Sequence, residues 1–164
     1  MNFGFSLLEL LLVLVLIGIV LSLGIPGYRA LLRTTQLTEA VEQLVGSIYY
    51  ARSEAIKRHY VVALCKSKNG FQCGGRWQDG WIVFIDKQIH GRVETDDVIL
   101  RRYSALAASQ VLRWRGSRSH DYLQLDPNGA THGQNGSFIF SYKGHKKSER
   151  VVIISQTGRV RIEG

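Results

Sequence analysis

The chain has 164 residues, 45% of them hydrophobic, with 21 basic against 13 acidic side chains and a formal charge of +8. That length leaves room for one membrane helix and one modest domain. The basic excess points to anionic partners such as nucleic acid, phospholipid or an acidic polymer, or serves solubility, and carries no information on fold.

Met1-Asn2-Phe3-Gly4 precede an apolar run from Phe5 to Ile25 in which Glu9 is the only charge. As a helix rising ~1.5 Å per residue this run reaches about 32 Å, enough to cross a hydrocarbon core of ~30 Å. An acid inside such a helix costs roughly 2.5–3.5 kcal/mol at mid-bilayer, so Glu9 is read as functional rather than incidental. A secretory signal needs a charged start, a shorter apolar core and a small-residue cleavage site after it. Here the only small-residue junction, Gly4-Phe5, lies before the apolar run. Cleavage there leaves the helix on the mature protein and sets a free amino group on Phe5, one helical turn from Glu9, where it can neutralise the carboxylate.

Gly4, the aromatic Phe5, Ser6-Leu7-Leu8-Glu9-Leu10 and Pro26 near the end of the run resemble the class III signal of type IV pilins and type II secretion pseudopilins. The resemblance implies cleavage after Gly4 by a prepilin peptidase and N-methylation of Phe5. It also implies insertion in the inner membrane with the head in the periplasm, then assembly with other pilins into a filament held by packed N-terminal helices. The leader lacks the usual Lys or Arg, and Arg29 and Arg33 follow the apolar run. The positive-inside rule alone argues for the opposite orientation; the motif is given precedence.

Pro26-Gly27 is a candidate soft point in one long helix. Beyond it, Leu31, Leu37, Ala40, Val41, Leu44, Val45, Ile48, Ala51, Ala55 and Ile56 recur at spacings of three and four. Residues 26–59 are therefore the exposed, amphipathic half of the helix, with the intervening charges on a solvated face. Ala51-Arg52-Ser53-Glu54-Ala55 resembles the matching segment of GspH/FimT-type minor pilins.

From Tyr60 the pattern becomes short β-rich segments between turns, which predicts an antiparallel sheet domain over residues 60–164 packed on the helix, an α+β type IV pilin fold. The expected strands are 61–65, 81–85, 98–103, 110–114, 122–125, 137–142, 150–155 and 159–162, with a turn at Asp126-Pro127-Asn128-Gly129. Trp77-Gln78-Asp79-Gly80-Trp81-Ile82-Val83-Phe84 resembles the Trp-x-x-Gly-Trp-x-x-Phe block of the same family; Trp81 and Phe84 are read as core. Cys65 and Cys73 flank a polar, glycine-bearing turn, and a periplasmic compartment favours a disulfide over free thiols. With no second cysteine pair and no adjacent histidine, zinc is poorly supported.

No catalytic constellation, cofactor motif or metal motif stands out, so an enzyme is not expected. Glu94, Asp96 and Asp97 read as a solvated loop. The basic residues carry more information: from Arg101 onward eleven basic side chains face four acidic ones. Gly158 can turn the chain; on a following strand Val160 and Ile162 would face the core and Arg159 and Arg161 the solvent, about 6.6–6.8 Å apart. Two guanidinium forks at that spacing can each engage a phosphate, and they equally describe an edge strand charged against aggregation. Gly158-Arg159-Val160-Arg161 resembles the C-terminal Gly-Arg-x-Arg motif of FimT-type minor pilins, which implies binding of double-stranded DNA during natural transformation. On that reading Arg159 and Arg161 are the first candidates. Lys143, Lys146, Lys147 and Arg150 come second, and Arg113, Arg115 and Arg118 extend the patch if their loop lies nearby. The alternative is a structural tip or priming minor pilin, or a type II secretion pseudopilin, with no DNA role.

Overall fold

A computed structural model describes the backbone of residues 6–119 and 121–164, with side chains except at 23, 24, 26, 29, 30, 33 and 145–148. The expected cleavage junction at Gly4 and Phe5 lies outside the described residues. The chain divides into two compact units, Met1–Gln36 and Leu37–Gly164.

In the first unit, helix α1 (Leu7–Arg58) begins. Ser6 starts it: its hydroxyl accepts from the Leu8 N–H at 3.3 Å, satisfying one orphan donor of the first turn, and its carbonyl accepts the first intrahelical bond, from the Leu10 N–H at 3.1 Å. Ser22 Oγ and Thr35 Oγ1 donate back to the Ile19 and Leu31 carbonyls, so the hydroxyls are satisfied within the helix itself. The apolar side chains from Leu7 to Leu21 stand exposed, and so does Glu9. The helix is unbroken through positions 26 and 27, where a soft point was expected. Within the apolar run the side chains of positions 23 and 24 lie outside the described residues, and among the described residues no helix is long and apolar enough to cross a membrane.

The second unit is built on the remainder of α1. Leu37, Ala40, Val41, Leu44, Ile48, Ala51 and Ala55 are buried, the stripe that the three-four spacing predicts. Each large side chain so buried contributes roughly 1.5–3 kcal/mol. The charges between them are not all on a solvated face. Glu54 is buried and ion-paired to Arg58 one turn later, and Arg52 reaches across to the end of the chain.

Eight strands follow: β1 (Val62–Lys66), β2 (Trp81–Ile85), β3 (Val98–Tyr103), β4 (Gln110–Gly116), β5 (Tyr122–Leu125), β6 (Gly136–Tyr142), β7 (His145–Ile154) and β8 (Val160–Glu163). They form two antiparallel four-stranded sheets, β3-β2-β1-β5 and β4-β6-β7-β8, where one sheet domain was expected. The main core joins α1 to the inner faces of both sheets through Leu44, Ile48, Leu64, Trp81, Leu123, Phe138, Phe140 and Val152. Trp81 is fully buried, stacks on Tyr103 at 5.2 Å, and donates its indole N–H to Ser47 Oγ at 3.0 Å. Phe84 is buried on the other side of the first sheet, in a second cluster with Ala63, Cys65 and Ile82.

The Trp-x-x-Gly-Trp block has a steric explanation. Gly80 sits at φ +118°, and a Cβ there would lie 2.6 Å from the Tyr103 carbonyl. The glycine lets β3 approach the 3-10 turn Trp77–Asp79, whose Trp77 packs edge-on to Phe138 at 4.9 Å. Cys65 and Cys73 form the expected disulfide, with Cα atoms 5.6 Å apart. The acidic loop is a structured turn: Asp97 accepts from the backbone N–H groups of Lys87 and Glu94, and buried Asp86 accepts from those of His90 and Gly91 and from Gln124 Nε2 at 2.7 Å.

Candidate nucleic-acid interface

Side chains alternate along β4, β6, β7 and β8, so each strand shows one set inward and one outward. Leu112, Trp114, Phe138, Phe140, Val152 and Ile154 point inward and are buried. The pairing register then builds two outward rows. Arg115 lies opposite Ser137, Ser137 opposite Ile153, and Ile153 opposite Arg161; the neighbouring row runs Arg113, Ile139, Val151, Glu163. Arg115 and Arg161 thus occupy the two edges of one sheet face, three strand spacings or about 14 Å apart.

Beyond β8 the ladder continues into the turn that carries Arg159. Ser155 N–H donates to the Arg159 carbonyl at 3.0 Å, and Ser155 Oγ accepts from the Arg159 N–H at 3.2 Å. Gly158 takes φ +75°, where a Cβ would lie 2.3 Å from the Gly129 carbonyl. Arg52 Nη1 on α1 donates to the Gly158 carbonyl at 3.1 Å, and Thr131 N–H and Oγ1 both donate to the Gln156 carbonyl. The glycine of the Gly-Arg-x-Arg sequence is therefore a packing residue. It seats the Arg159 turn against the Asp126–Gly129 turn and the helix.

Arg113, Arg115, Arg159 and Arg161 are all exposed. Arg161 Nη2 pairs with Glu163 at 2.9 Å; among the described residues the other three have no ion-pair partner. Ile162 departs from the expected pattern: it faces the helix side, yet as part of an edge strand it is 49% exposed. Val160 packs partly against the core as expected.

The remaining candidates lie elsewhere. Arg150 shares the parity of Val152 and Ile154 and is paired with inward-facing Phe140. It borders a cleft of about 130 Å³ with Thr38, Val41, Glu42 and Ile162, and Nη1 donates to the Gly164 carbonyl. That is the opposite face of the sheet from Arg161. Lys143 is on the β6–β7 turn, where its N–H donates to the Ser109 carbonyl at 2.9 Å, about 20 Å along the strand from Ser137 and Arg115. Arg118 donates to the His132 carbonyl at 3.3 Å, past the far end of β4. The side chains of Lys146 and Lys147 lie outside the described residues. Arg101 is held over the Tyr50 ring at 4.9 Å.

Sequence reasoning missed Arg52 as the strut of the Arg159 turn. Its spacing of four from buried Ile48, on the edge of the apolar stripe, was the available signal. Parity with Val152 and Ile154 was likewise enough to turn Arg150 inward.

One helix whose later turns form the spine of an antiparallel β head, closed by a small disulfide loop, is the architecture of a pilin or pseudopilin subunit. The family model described as "Type II transport protein GspH" matches residues 40–158, and the chain belongs to that family. The pilin-like protein PilA1 of Thermus thermophilus is 28% identical over 163 residues, covering 98% of this chain and 97% of the relative. Among solved structures, the type IV minor pilin FimU of Pseudomonas aeruginosa matches with a TM-score of 0.63 at 23% identity, over 80% of this chain and 91% of that one. The minor pseudopilin EpsH of the Vibrio cholerae type 2 secretion system matches with a TM-score of 0.55 at 10% identity, over 78% and 96%. Both establish the shared fold. By family and fold the chain is a minor-pilin-like or pseudopilin-like subunit rather than an enzyme.

Proposed function

We propose that this chain is a minor type IV pilin that binds extracellular double-stranded DNA, without sequence preference, for uptake in natural transformation. A prepilin peptidase removes residues 1–4. Residues 5–25 hold the subunit in the inner membrane and then in the filament, where the Phe5 amino group neutralises Glu9 of its own or a neighbouring chain. The exposed apolar side chains of α1 support this, because they need lipid or other helices to cover them.

The observation that carries the DNA reading is the shared face of Arg113, Arg115, Arg159 and Arg161. Two edges of positive charge about 14 Å apart can reach phosphates on both sides of a groove ~6 to ~12 Å wide. Such contacts fix position without reading bases, so binding falls with salt. The test is fluorescence anisotropy of a labelled duplex with residues 28–164, folding checked by circular dichroism. Loss of binding in folded Arg159→Gln/Arg161→Gln supports the proposal, and no duplex binding at low salt overturns it.

The structural tip or priming role is the second reading. Partly buried Ile139, Val151 and Ile153 run down the middle of the same face and suit a protein partner. A salt-insensitive complex with another pilin, made by a head that does not bind DNA, would favour it.

A further inference from the structure

The disulfide loop presents a second feature that the sheet face does not use. Phe71, at its tip, is 62% exposed, although burial would be worth roughly 1.5–3 kcal/mol to such a ring. The ring is not on a slack loop. The Cys65–Cys73 bond closes the base, and Gly74 N–H donates to the Lys66 carbonyl at 2.7 Å. Asn69 Oδ1 accepts from the N–H groups of Phe71 and Gln72, both at 2.9 Å. Buried Ser67 donates its hydroxyl to the Gln72 carbonyl at 2.6 Å and accepts from the Gly70 N–H at 3.0 Å. Arg102 on β3 then donates Nε to the Gly70 carbonyl at 2.8 Å and lays its guanidinium 4.7 Å from the Phe71 ring centre. The aromatic ring and the cation are thus fixed before any ligand arrives, which lowers the entropic cost of binding.

The surrounding charge selects the ligand. Between Lys66 and Gln78 the loop carries Lys66, Lys68 and Arg76 and no acid. Lys66 and Arg76 are paired to Asp121 and Asp79, while Arg102 has no acidic partner among the described residues. Lys68, Asn69 and Gln72, on either side of Phe71 in the loop, line a shallow basin of about 420 Å³ with Cys73, Gly74 and Gly75. A ligand suited to this place is flat and aromatic where it meets Phe71 and Arg102, and anionic where it meets Lys68 and the guanidinium. A nucleotide has both properties. In a duplex the base faces are stacked inside, so the accessible form is a single strand, as at an overhang or a frayed end. Stacking on an aromatic side chain within a positive surface is how proteins hold single strands without sequence preference.

We propose that Phe71 and Arg102 form a stacking platform for an unpaired nucleobase, separate from the arginine face of the second sheet. The platform does not depend on the duplex-binding role of that face.

The test uses the full chain in detergent micelles, with a short oligothymidylate and a blunt-ended duplex as probes. Phe71→Ala should weaken oligothymidylate binding about tenfold and leave duplex binding unchanged. Arg102→Gln should weaken it in the same direction. Phe71→Trp should retain binding, and its indole fluorescence should be quenched by the oligonucleotide; the native tryptophans are buried and serve as the unresponsive background. Circular dichroism and an intact disulfide establish that each variant is folded. Unchanged oligothymidylate binding in Phe71→Ala overturns the platform, as does absence of quenching in Phe71→Trp. Displacement of the oligonucleotide by polyglutamate at equal charge concentration also overturns it, in favour of an acidic protein surface as the occupant. Failure of duplex binding alone counts against the sheet face and leaves this result standing.

Discussion

Arg52 Nη1 donates to the carbonyl of Gly158 at 3.1 Å, a bond between the helix and the last turn of the chain across 106 positions of sequence. Gly158 is in turn pressed against the Gly129 carbonyl. The turn that presents Arg159 therefore takes its position from the helix and not from β8 alone. Gly158→Ala forces a side chain into left-handed backbone and into the Gly129 carbonyl, and should cost the head about 2–4 kcal/mol in urea unfolding. Arg52→Met should cost about 1 kcal/mol and also lower duplex affinity, although Arg52 itself faces the turn.

Ser47 Oγ is the acceptor for the indole N–H of Trp81, and both residues are fully buried. Ser47→Ala strands that N–H away from water and should lower stability by about 1–3 kcal/mol, read as a shift in the denaturation midpoint with unchanged slope.

The disulfide closes a short loop, its cysteines eight positions apart. Chain entropy gives such a closure about 2–3 kcal/mol. Reduction should therefore lower the thermal midpoint of the head, and it should also abolish oligothymidylate binding through Phe71 before the sheet face is affected.

Asp79 titrates below the usual carboxylate range, chiefly because the Arg76 guanidinium donates to it, in spite of some desolvation. A depressed folded-state pKa gives stability that is present above the unfolded value of ~3.9 and lost as pH falls through the folded one. Wild type should thus exceed Asp79→Asn in stability at neutral pH, and the gap should narrow below about pH 4. An unchanged gap at about pH 2.5 would contradict a contribution from the Asp79 charge.

Much of this architecture was legible from residue pattern. β2, β3 and β5 have the expected bounds because each is an apolar or alternating run stopped by turn residues. β7 begins at His145, earlier than expected, because Lys146, Lys147, Ser148 and Glu149 carry no apolar signal in the sequence. The division into two sheets was hidden, since it depends on β1 pairing with the distant β5, and local alternation is the same in either sheet. At the candidate site, the sequence does not reveal whether Arg113 and Arg115 share a surface with Arg161; the register across β6 and β7 joins them. Charge alone groups Arg150 with the patch, whereas its parity places it on the helix side.

Arg161 offers a finer check. Its partner Glu163 competes with any phosphate. Both side chains are largely exposed, so the pair is worth at most about 1 kcal/mol. Glu163→Gln should tighten duplex binding up to about fivefold at low salt, with a smaller gain at high salt.

The most direct measurement is the salt dependence of duplex affinity for the head, in wild type and in the Arg113→Gln/Arg115→Gln and Arg159→Gln/Arg161→Gln pairs. If all four arginines meet phosphates, log affinity should fall against log salt with a slope of about −3 to −4, and each pair of substitutions should remove about 2 from it. A wild-type slope near zero, or a slope that neither pair changes, would contradict the claim that this sheet face holds DNA.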